Sequence, residues 1–99
     1  MSPTYEARRR FLREYGKLAK DQRDAFRVGR RKLVEALREQ PAQFPGELRV
    51  KRVQGTRDVW ELTFAPDGRA TFAYGPELRE GEAHIVWRRI GTHDVLDDP

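Results

Sequence analysis

The chain has 99 residues, a length that suits one domain with a modest core. Charged residues make up 36% and hydrophobic residues 37% of the sequence, a balance typical of a folded domain with a strongly polar surface. Cysteine is absent, which excludes disulfides and thiolate sites. The longest apolar runs are too short for a membrane span, and the N-terminus lacks an apolar leader segment. We therefore expect a single cytoplasmic domain over residues 1–99.

The net charge of +4 is unevenly distributed. Residues 1–52 contain 15 Lys and Arg against 7 Asp and Glu, a balance of +8. Residues 53–99 contain 5 against 9, a balance of −4. A basic half indicates an anionic partner, either nucleic acid or an acidic protein. A solvated helical surface explains the same charges equally well, so the charge leaves both interpretations open.

Two helices are predicted in the N-terminal half. The first, over residues 7–18, repeats apolar side chains at helical spacing, namely Phe11, Leu12, Tyr15 and Leu18. The second is predicted over residues 21–40, with Asp21 as its N-cap and Pro41 directly after its end. A short extended stretch, TYE, precedes the first helix.

The apolar period then changes from 3.6 to 2, which predicts strands between residues 47 and 92. The alternating segments are ELRVKRV, VWELTF, RATFAY and HIVWRRI; a turn at APDG joins the second to the third, and a polar loop, GPELREGEA, precedes the fourth. We predict an α+β fold in which an N-terminal helical hairpin packs on one face of a roughly four-stranded antiparallel sheet. The other face, expected to be free for a partner, carries Glu61, Thr63, Arg69 and Thr71.

Most enzyme classes lack their required residues in this sequence. With two histidines and no cysteine, nothing matches a zinc-binding spacing. Glycine-rich phosphate loops are absent, and the one serine, Ser2, lies at the N-terminus. We expect neither a metal nor a cofactor.

One set of residues fits metal-free cleavage of RNA. His93 can exchange protons near neutral pH, and Asp67 can orient it or act as a base. Cations would neutralise the phosphate, and the candidates are Lys51, Arg52, Arg69, Arg88 and Arg89. Simpler interpretations remain open, because basic strand residues are common on exposed surfaces and Asp67 fits its Pro-Asp-Gly turn. His84, at the start of a strand, is interpreted as structural.

Nearly the whole chain resembles the RelE/ParE superfamily of type II toxin–antitoxin toxins. The resemblance is carried by LRVKRVQG and, more specifically, by VWELTFAPDGRATFAY and HIVWRRIGTHDVL. The segment RIGTHDVL is similar to the C-terminal GTH segment of the YafQ-type mRNA-cleaving toxins, in which the histidine is catalytic. The resemblance implies the fold of that superfamily.

The resemblance also implies catalytic roles for four residues. His93 takes the position of the catalytic histidine, and Asp67 takes that of the catalytic aspartate of the YafQ type. Arg69 lies close to an active-site arginine of the RelE type, with a shift of one residue at the hairpin. Arg89 matches the arginine that precedes GTH.

The chain departs from the YafQ pattern at three positions. Lys51 and Thr63 stand where the YafQ type has two further histidines, and Leu96 stands where an aromatic residue is expected. Lys51 can hold phosphate, whereas the hydroxyl of Thr63 is a poor acid–base group. We assign Lys51 and Thr63, with Arg52 and Arg88, to RNA binding.

The family implies a ribosome-dependent mRNA endoribonuclease that cuts by metal-independent acid–base chemistry and inhibits translation. The implied partners are a cognate antitoxin, the ribosome with mRNA in its A site and, through the antitoxin, operator DNA; no membrane is implied. Two alternatives stay open. One is a ParE-like DNA gyrase poison without catalysis, and the other is a non-toxic relic that only binds the antitoxin.

Overall fold

The computed structural model describes residues 2–39 and 41–99, and these form two helices and five strands. In chain order the elements are β1 (Thr4–Ala7), α1 (Arg9–Lys17), α2 (Lys20–Leu37), β2 (Lys51–Arg52), β3 (Val59–Ala65), β4 (Gly68–Arg79) and β5 (Glu82–Gly91), with 3-10 turns at Gly46–Leu48 and His93–Asp97. The predicted α+β class, with two helices packed on a sheet, is confirmed.

The described strands form one mixed sheet in the order β1-β5-β4-β3-β2. The strands β2 to β5 are antiparallel, as predicted, whereas β1 joins the edge of β5 in parallel, with Thr4 opposite His84. The sheet therefore has one strand more than the roughly four predicted, and this extra strand, β1, is parallel to its neighbour. A strand of four residues is too short to show a clear alternation, and its partner lies 80 positions further along the chain.

Both helices differ from the prediction at their ends. The helix α1 spans Arg9–Lys17 instead of residues 7–18. The helix α2 begins at Lys20 and ends at Leu37, and the predicted end at Gln40 lies outside the described residues. Its N-cap is Ala19, so the prediction of Asp21 as the cap is wrong. Asp21 lies in the first turn instead, where its negative charge is stabilised by the helix dipole.

Two strand predictions are also corrected. Leu48 lies in a 3-10 turn rather than a strand, because its side chain packs into the core, and β2 is reduced to Lys51–Arg52. The predicted polar loop GPELREGEA is instead the far end of the β4–β5 hairpin, which turns at Gly81 with a φ of +80°. Most side chains at this end of β4 are exposed, so no apolar alternation marks it in the sequence.

An aromatic cluster forms the core between the helices and the sheet. The ring of Phe26 lies 5.1 Å from that of Trp87 and 5.7 Å from that of Phe64, and Phe11 lies 5.7 Å from Trp87. Burial of each such side chain contributes about 1.5–3 kcal/mol. These contacts anchor β3 and β5 to α1 and α2, and so hold the strand ends from which the candidate site is built.

The opposite face of the sheet is not free, contrary to expectation. The segment after β5, HDVLDDP, packs against it, and Thr71 Oγ1 donates a hydrogen bond to the carbonyl oxygen of Pro99 at 3.4 Å. Glu61 is only 5% exposed and Thr71 is fully buried. A segment this acidic shows little apolar signal, so the sequence did not predict that it would cover the face.

Candidate active site

His93 and Asp67 lie in contact at one end of the sheet. His93 Nδ1 is 2.6 Å from Asp67 Oδ1, and the backbone N–H of His93 donates to the same oxygen at 3.3 Å. Asp67 lies in the turn between β3 and β4, and His93 begins the 3-10 turn after β5. These two predicted residues are 26 positions apart in the chain, and the pairing of β4 with β5 brings them together.

Glycines and a capping residue position this contact. A Cβ at Gly68 would lie 2.6 Å from the ring of Phe64, so glycine lets the ring and the turn pack together. Arg69 pairs with Gly91, which places the end of β5 beside that turn. The Oγ1 of Thr92 accepts the backbone N–H two residues further on, at 3.4 Å, and so caps the 3-10 turn.

The contact shifts the pKa of both side chains. The hydrogen bond to Asp67, together with the charges of Asp67 and Asp94, raises the pKa of His93 above its usual 6.5. The same hydrogen bond lowers the pKa of Asp67. His93 is 66% exposed and Asp67 61%, so solvent screens the pair and a large substrate can reach the imidazole.

Arg69 is the predicted cation that lies in the turn of Asp67. It pairs across the sheet with Thr63, and its Nη1 donates to the carbonyls of Ala65 and Gly68 at 3.3 and 3.0 Å. The charge of Arg69 helps to lower the pKa of Asp67. The structure thus brings together three of the predicted catalytic residues, with Arg69 held over the turn by backbone oxygens.

Arg89 and Arg88 are engaged elsewhere. Arg89 Nη2 donates to Glu14 Oε2 at 2.6 Å, and its Nη1 donates to the carbonyl of Asp98 at 3.1 Å. Arg88 Nε donates to the carbonyl of Pro99 at 2.9 Å. Because the Arg89 side chain is only 15% exposed, these contacts favour a positioning role over direct contact with a substrate.

Lys51 and Arg52 form β2, at the edge of the sheet furthest from β1. Lys51 pairs with Glu61, and both line a cleft of about 460 Å³ together with the 3-10 turn after β5. Within the described part of the chain, neither cation makes a hydrogen bond or ion pair with His93 or Asp67. The cleft that they line includes Leu96 and Asp97, so these two predicted residues face the 3-10 turn that begins at His93.

Sequence reasoning passed over Glu14 and Asp94. Glu14 accepts hydrogen bonds from Arg89 and, at 3.4 Å, from the backbone N–H of Ile90, where the edge of β5 continues past the end of β1. The sequence does mark Glu14, because it is the one acidic residue in the basic stretch from residue 7 to residue 20. Asp94 Oδ1 lies 3.3 Å from His93 Nε2.

The arrangement supports proton transfer. An exposed imidazole that a carboxylate holds through Nδ1 can accept or donate a proton at Nε2 once a substrate oxygen replaces Asp94, which lies 3.3 Å from that nitrogen. Among residues 2–39 and 41–99, no three His, Cys, Asp or Glu side chains cluster as they would to hold a metal ion. Neither of the described helices is long and apolar enough to cross a membrane.

The fold is similar to that of solved toxin–antitoxin proteins, which confirms the predicted RelE-like architecture. A chain of the E. coli DinJ–YafQ toxin–antitoxin complex matches with a TM-score of 0.67 and 16% identity over 97% of this chain and 98% of that one. YafQ from E. coli BL21(DE3) matches with a TM-score of 0.65 and 15% identity over 95% and 97% of the two chains. A chain of the Methanococcus jannaschii RelB–RelE antitoxin–toxin complex matches with a TM-score of 0.62 and 10% identity over 93% and 94%.

At these identities the likeness establishes the fold, and function has to be argued from the site. No protein-family model and no curated protein matches this sequence.

Proposed function

We propose that this protein is the toxin of a type II toxin–antitoxin system and cleaves mRNA on the ribosome. The observation that carries the proposal is the 2.6 Å contact between His93 and Asp67. It lies at an exposed end of a sheet with the fold of the YafQ and RelE structures. An accessible acid–base pair beside an arginine, here Arg69, supplies the groups that metal-free RNA cleavage needs.

The proposed reaction is an internal transesterification. The ribose 2′-hydroxyl gives its proton to solvent water, its oxygen attacks the adjacent phosphorus, and the P–O5′ bond breaks. The departing O5′ takes up the proton that the His93 imidazolium donates from Nε2, so the products are a 2′,3′-cyclic phosphate and a 5′-hydroxyl. Asp67 orients the ring and stabilises the imidazolium. The raised pKa of His93 favours its role as the general acid.

The predicted cations take different roles in this proposal. Arg69 stabilises the charge that develops on the phosphate. Arg88 and Arg89 act by holding the segment after β5 to the sheet. The surface that binds RNA extends from the His93–Asp67 pair towards the β2 edge of the sheet, through Thr63, Lys51 and Arg52.

The ribosome with mRNA in its A site is the proposed substrate complex. A ribosome that holds the RNA in a reactive geometry allows a sparse protein site to suffice. The balance of +8 in residues 1–52 would then favour ribosomal RNA, with an affinity that falls as salt rises. The proposed compartment is the cytoplasm, where ribosomes translate.

A cognate antitoxin is the second proposed partner, with operator DNA bound through it. The support is that the DinJ–YafQ and RelB–RelE neighbours are complexes of a toxin with an antitoxin. An acidic antitoxin segment would suit the basic N-terminal half.

The test is induced expression of the wild type beside His93→Ala, with growth recorded and mRNA 5′ ends mapped. We expect arrest and new cuts within translated codons, both lost in His93→Ala, whose thermal unfolding shows that it still folds. Arg57→Ala, which removes an exposed cation from the β2–β3 connection, should keep both effects. Arrest with gyrase-linked DNA breaks and no mRNA cuts would indicate the ParE-like alternative. Absence of arrest would indicate a relic that only binds the antitoxin.

A further inference from the structure

Arg49 has an unusual backbone conformation. With φ 46° and ψ 45° it is left-handed, and it is the one non-glycine residue among the described residues with a positive φ. It follows the 3-10 turn Gly46–Leu48, and its N–H donates to the carbonyl of Gly46 at 3.2 Å. Glycine or asparagine adopts this conformation at less cost than arginine does. The turn therefore explains the backbone shape but not the choice of an arginine.

The side chain of Arg49 makes no polar contact that would offset this cost. It is exposed, and within residues 2–39 and 41–99 its guanidinium has neither a hydrogen bond nor an ion pair. An unengaged cation at a strained position is a candidate for ligand binding, because strained residues concentrate at functional sites.

Arg49 lines a groove of about 400 Å³ between α2 and the end of β3 that lies beyond its pairing with β2. The groove is also lined by Lys32 and Arg69, and its one acidic residue, Glu47, is paired with Lys32 at 2.9 Å. Its net charge is therefore positive. Phe64, partly exposed, offers an aromatic surface in the same groove, and cations beside an aromatic ring are the usual features of single-stranded nucleic-acid sites.

The groove adjoins the candidate active site. Ala65 and Pro66 line it, and the same two residues line a second cleft together with Asp67 and Thr92. Arg69, whose charge acts on Asp67, also lines the groove. The groove is therefore next to the place where the reacting phosphate of a bound strand would lie.

We infer that Arg49 binds a backbone phosphate of single-stranded RNA in this groove, on a nucleotide next to those at the cleavage site. The inference rests on the proposed RNA-cleaving function and extends it to a subsite that takes no part in the chemistry. An acidic protein segment would also be attracted to the cations, but the shared boundary with the acid–base pair and the aromatic surface of Phe64 favour RNA.

The test replaces Arg49 with glycine, which removes the cation and suits the backbone. Arg49→Gly should fold at least as stably as the wild type in thermal unfolding. Its dissociation constant for a short single-stranded RNA, made uncleavable by 2′-O-methyl groups, should rise about tenfold at low salt, the size expected for one charge-assisted contact. The slope of log affinity against log salt should fall by about 0.7. Arg57→Gly, an equal change of charge outside the groove, should bind RNA like the wild type.

RNA binding by Arg49→Gly tests the proposed phosphate subsite, whereas mRNA cleavage in cells tests the proposed nuclease function, so the two can fail independently. Equal RNA binding by Arg49→Gly and the wild type would overturn it, even if His93→Ala showed the wild type to be a nuclease. Loss of RNA binding in Arg49→Gly would support the subsite, even if the wild type left mRNA uncut in cells. Absence of RNA binding by the wild type would overturn the inference. If Arg49→Gly bound RNA like the wild type but bound a co-expressed antitoxin more weakly, the groove would be an antitoxin site and the inference would also be overturned.

Discussion

Glu14 on α1 and Arg89 on β5 form an ion pair, with Glu14 Oε2 and Arg89 Nη2 2.6 Å apart. Both side chains are largely buried, at 21% and 15% exposure. The same carboxylate accepts the backbone N–H of Ile90, so it satisfies a donor on the edge of β5 beyond the end of β1. This pair joins the N-terminal helix to the strand that leads into His93.

Glu14→Gln should lower the free energy of unfolding by about 1–3 kcal/mol, because it leaves Arg89 partly buried without its counter-charge. Burial raises the pKa of Glu14, but the hydrogen bonds and charge of Arg89 outweigh it and leave the pKa below the usual 4.5. A lowered pKa stabilises the fold above the unfolded-state value, and that stabilisation is lost as pH falls through the folded-state value.

Urea denaturation at neutral and acidic pH checks this prediction. The difference between the wild type and Glu14→Gln should shrink as the pH falls below the usual carboxylate range. Glu35→Gln, an exposed change on α2, should stay near the wild type throughout. A gap between the wild type and Glu14→Gln that is independent of pH would contradict the ion-pair interpretation.

Asp67→Asn should lower the pKa of His93 and reduce the proposed mRNA cleavage by about 10- to 1,000-fold. The neutral amide has no negative charge to stabilise the imidazolium, and its hydrogen bond to the ring is weaker than that of the carboxylate. The pair is fully charged between the lowered pKa of Asp67 and the raised pKa of His93. Its contribution is lost as pH rises through the folded pKa of His93 or falls through that of Asp67.

The measurement is an NMR titration of the His93 ring in the wild type, in Asp67→Asn and in Asp94→Asn. The charge of Asp94 is a weaker cause of the shift than the hydrogen bond to Asp67, so Asp94→Asn should move the pKa less. An unchanged His93 titration in Asp67→Asn would refute the assigned hydrogen bond.

Gly68→Ala should destabilise the fold by about 1–3 kcal/mol, because the new Cβ would meet the ring of Phe64 at 2.6 Å and either the turn or the ring, which packs on Phe26, would have to shift. Cleavage should fall as well, since the turn carries Asp67. Gly16→Ala is the matched control: nothing lies within 4 Å of its Cβ, and α1 should gain about 0.5–1 kcal/mol. Thermal unfolding of the two variants should therefore shift in opposite directions.

His84→Leu should release β1 from the sheet. His84 is 3% exposed, with Nδ1 2.8 Å from Thr4 Oγ1 and Nε2 2.9 Å from Glu6 Oε1, so leucine would leave the Thr4 hydroxyl without its partner. We expect a loss of about 1–3 kcal/mol. Hydrogen exchange should speed up in β1 and much less in β3; equal acceleration in both strands would indicate general unfolding instead of a local role.

Several features could be predicted because local patterns carry them. The helical spacing around Phe11 and the alternation through Leu62 mark elements that bury one face each. Asp67 and His93 stood out as the titratable residues of a tight turn and a strand end. One local signal was overlooked: Ile85, Trp87 and Ile90 are all buried, so the alternation breaks at the β-bulge where β5 carries an extra residue.

The amino-acid order alone predicted the α+β class, showed the basic N-terminal half and named His93 and Asp67 as candidates for an acid–base site, since each depends on composition or on neighbours along the chain. The parallel pairing of β1, the cover of HDVLDDP over the sheet, the Glu14–Arg89 ion pair and the His93–Asp67 contact depend on residues that are far apart in the sequence. Folding selects such contacts by burial, register and charge together. Periodicity along one segment therefore identifies the elements but not their partners.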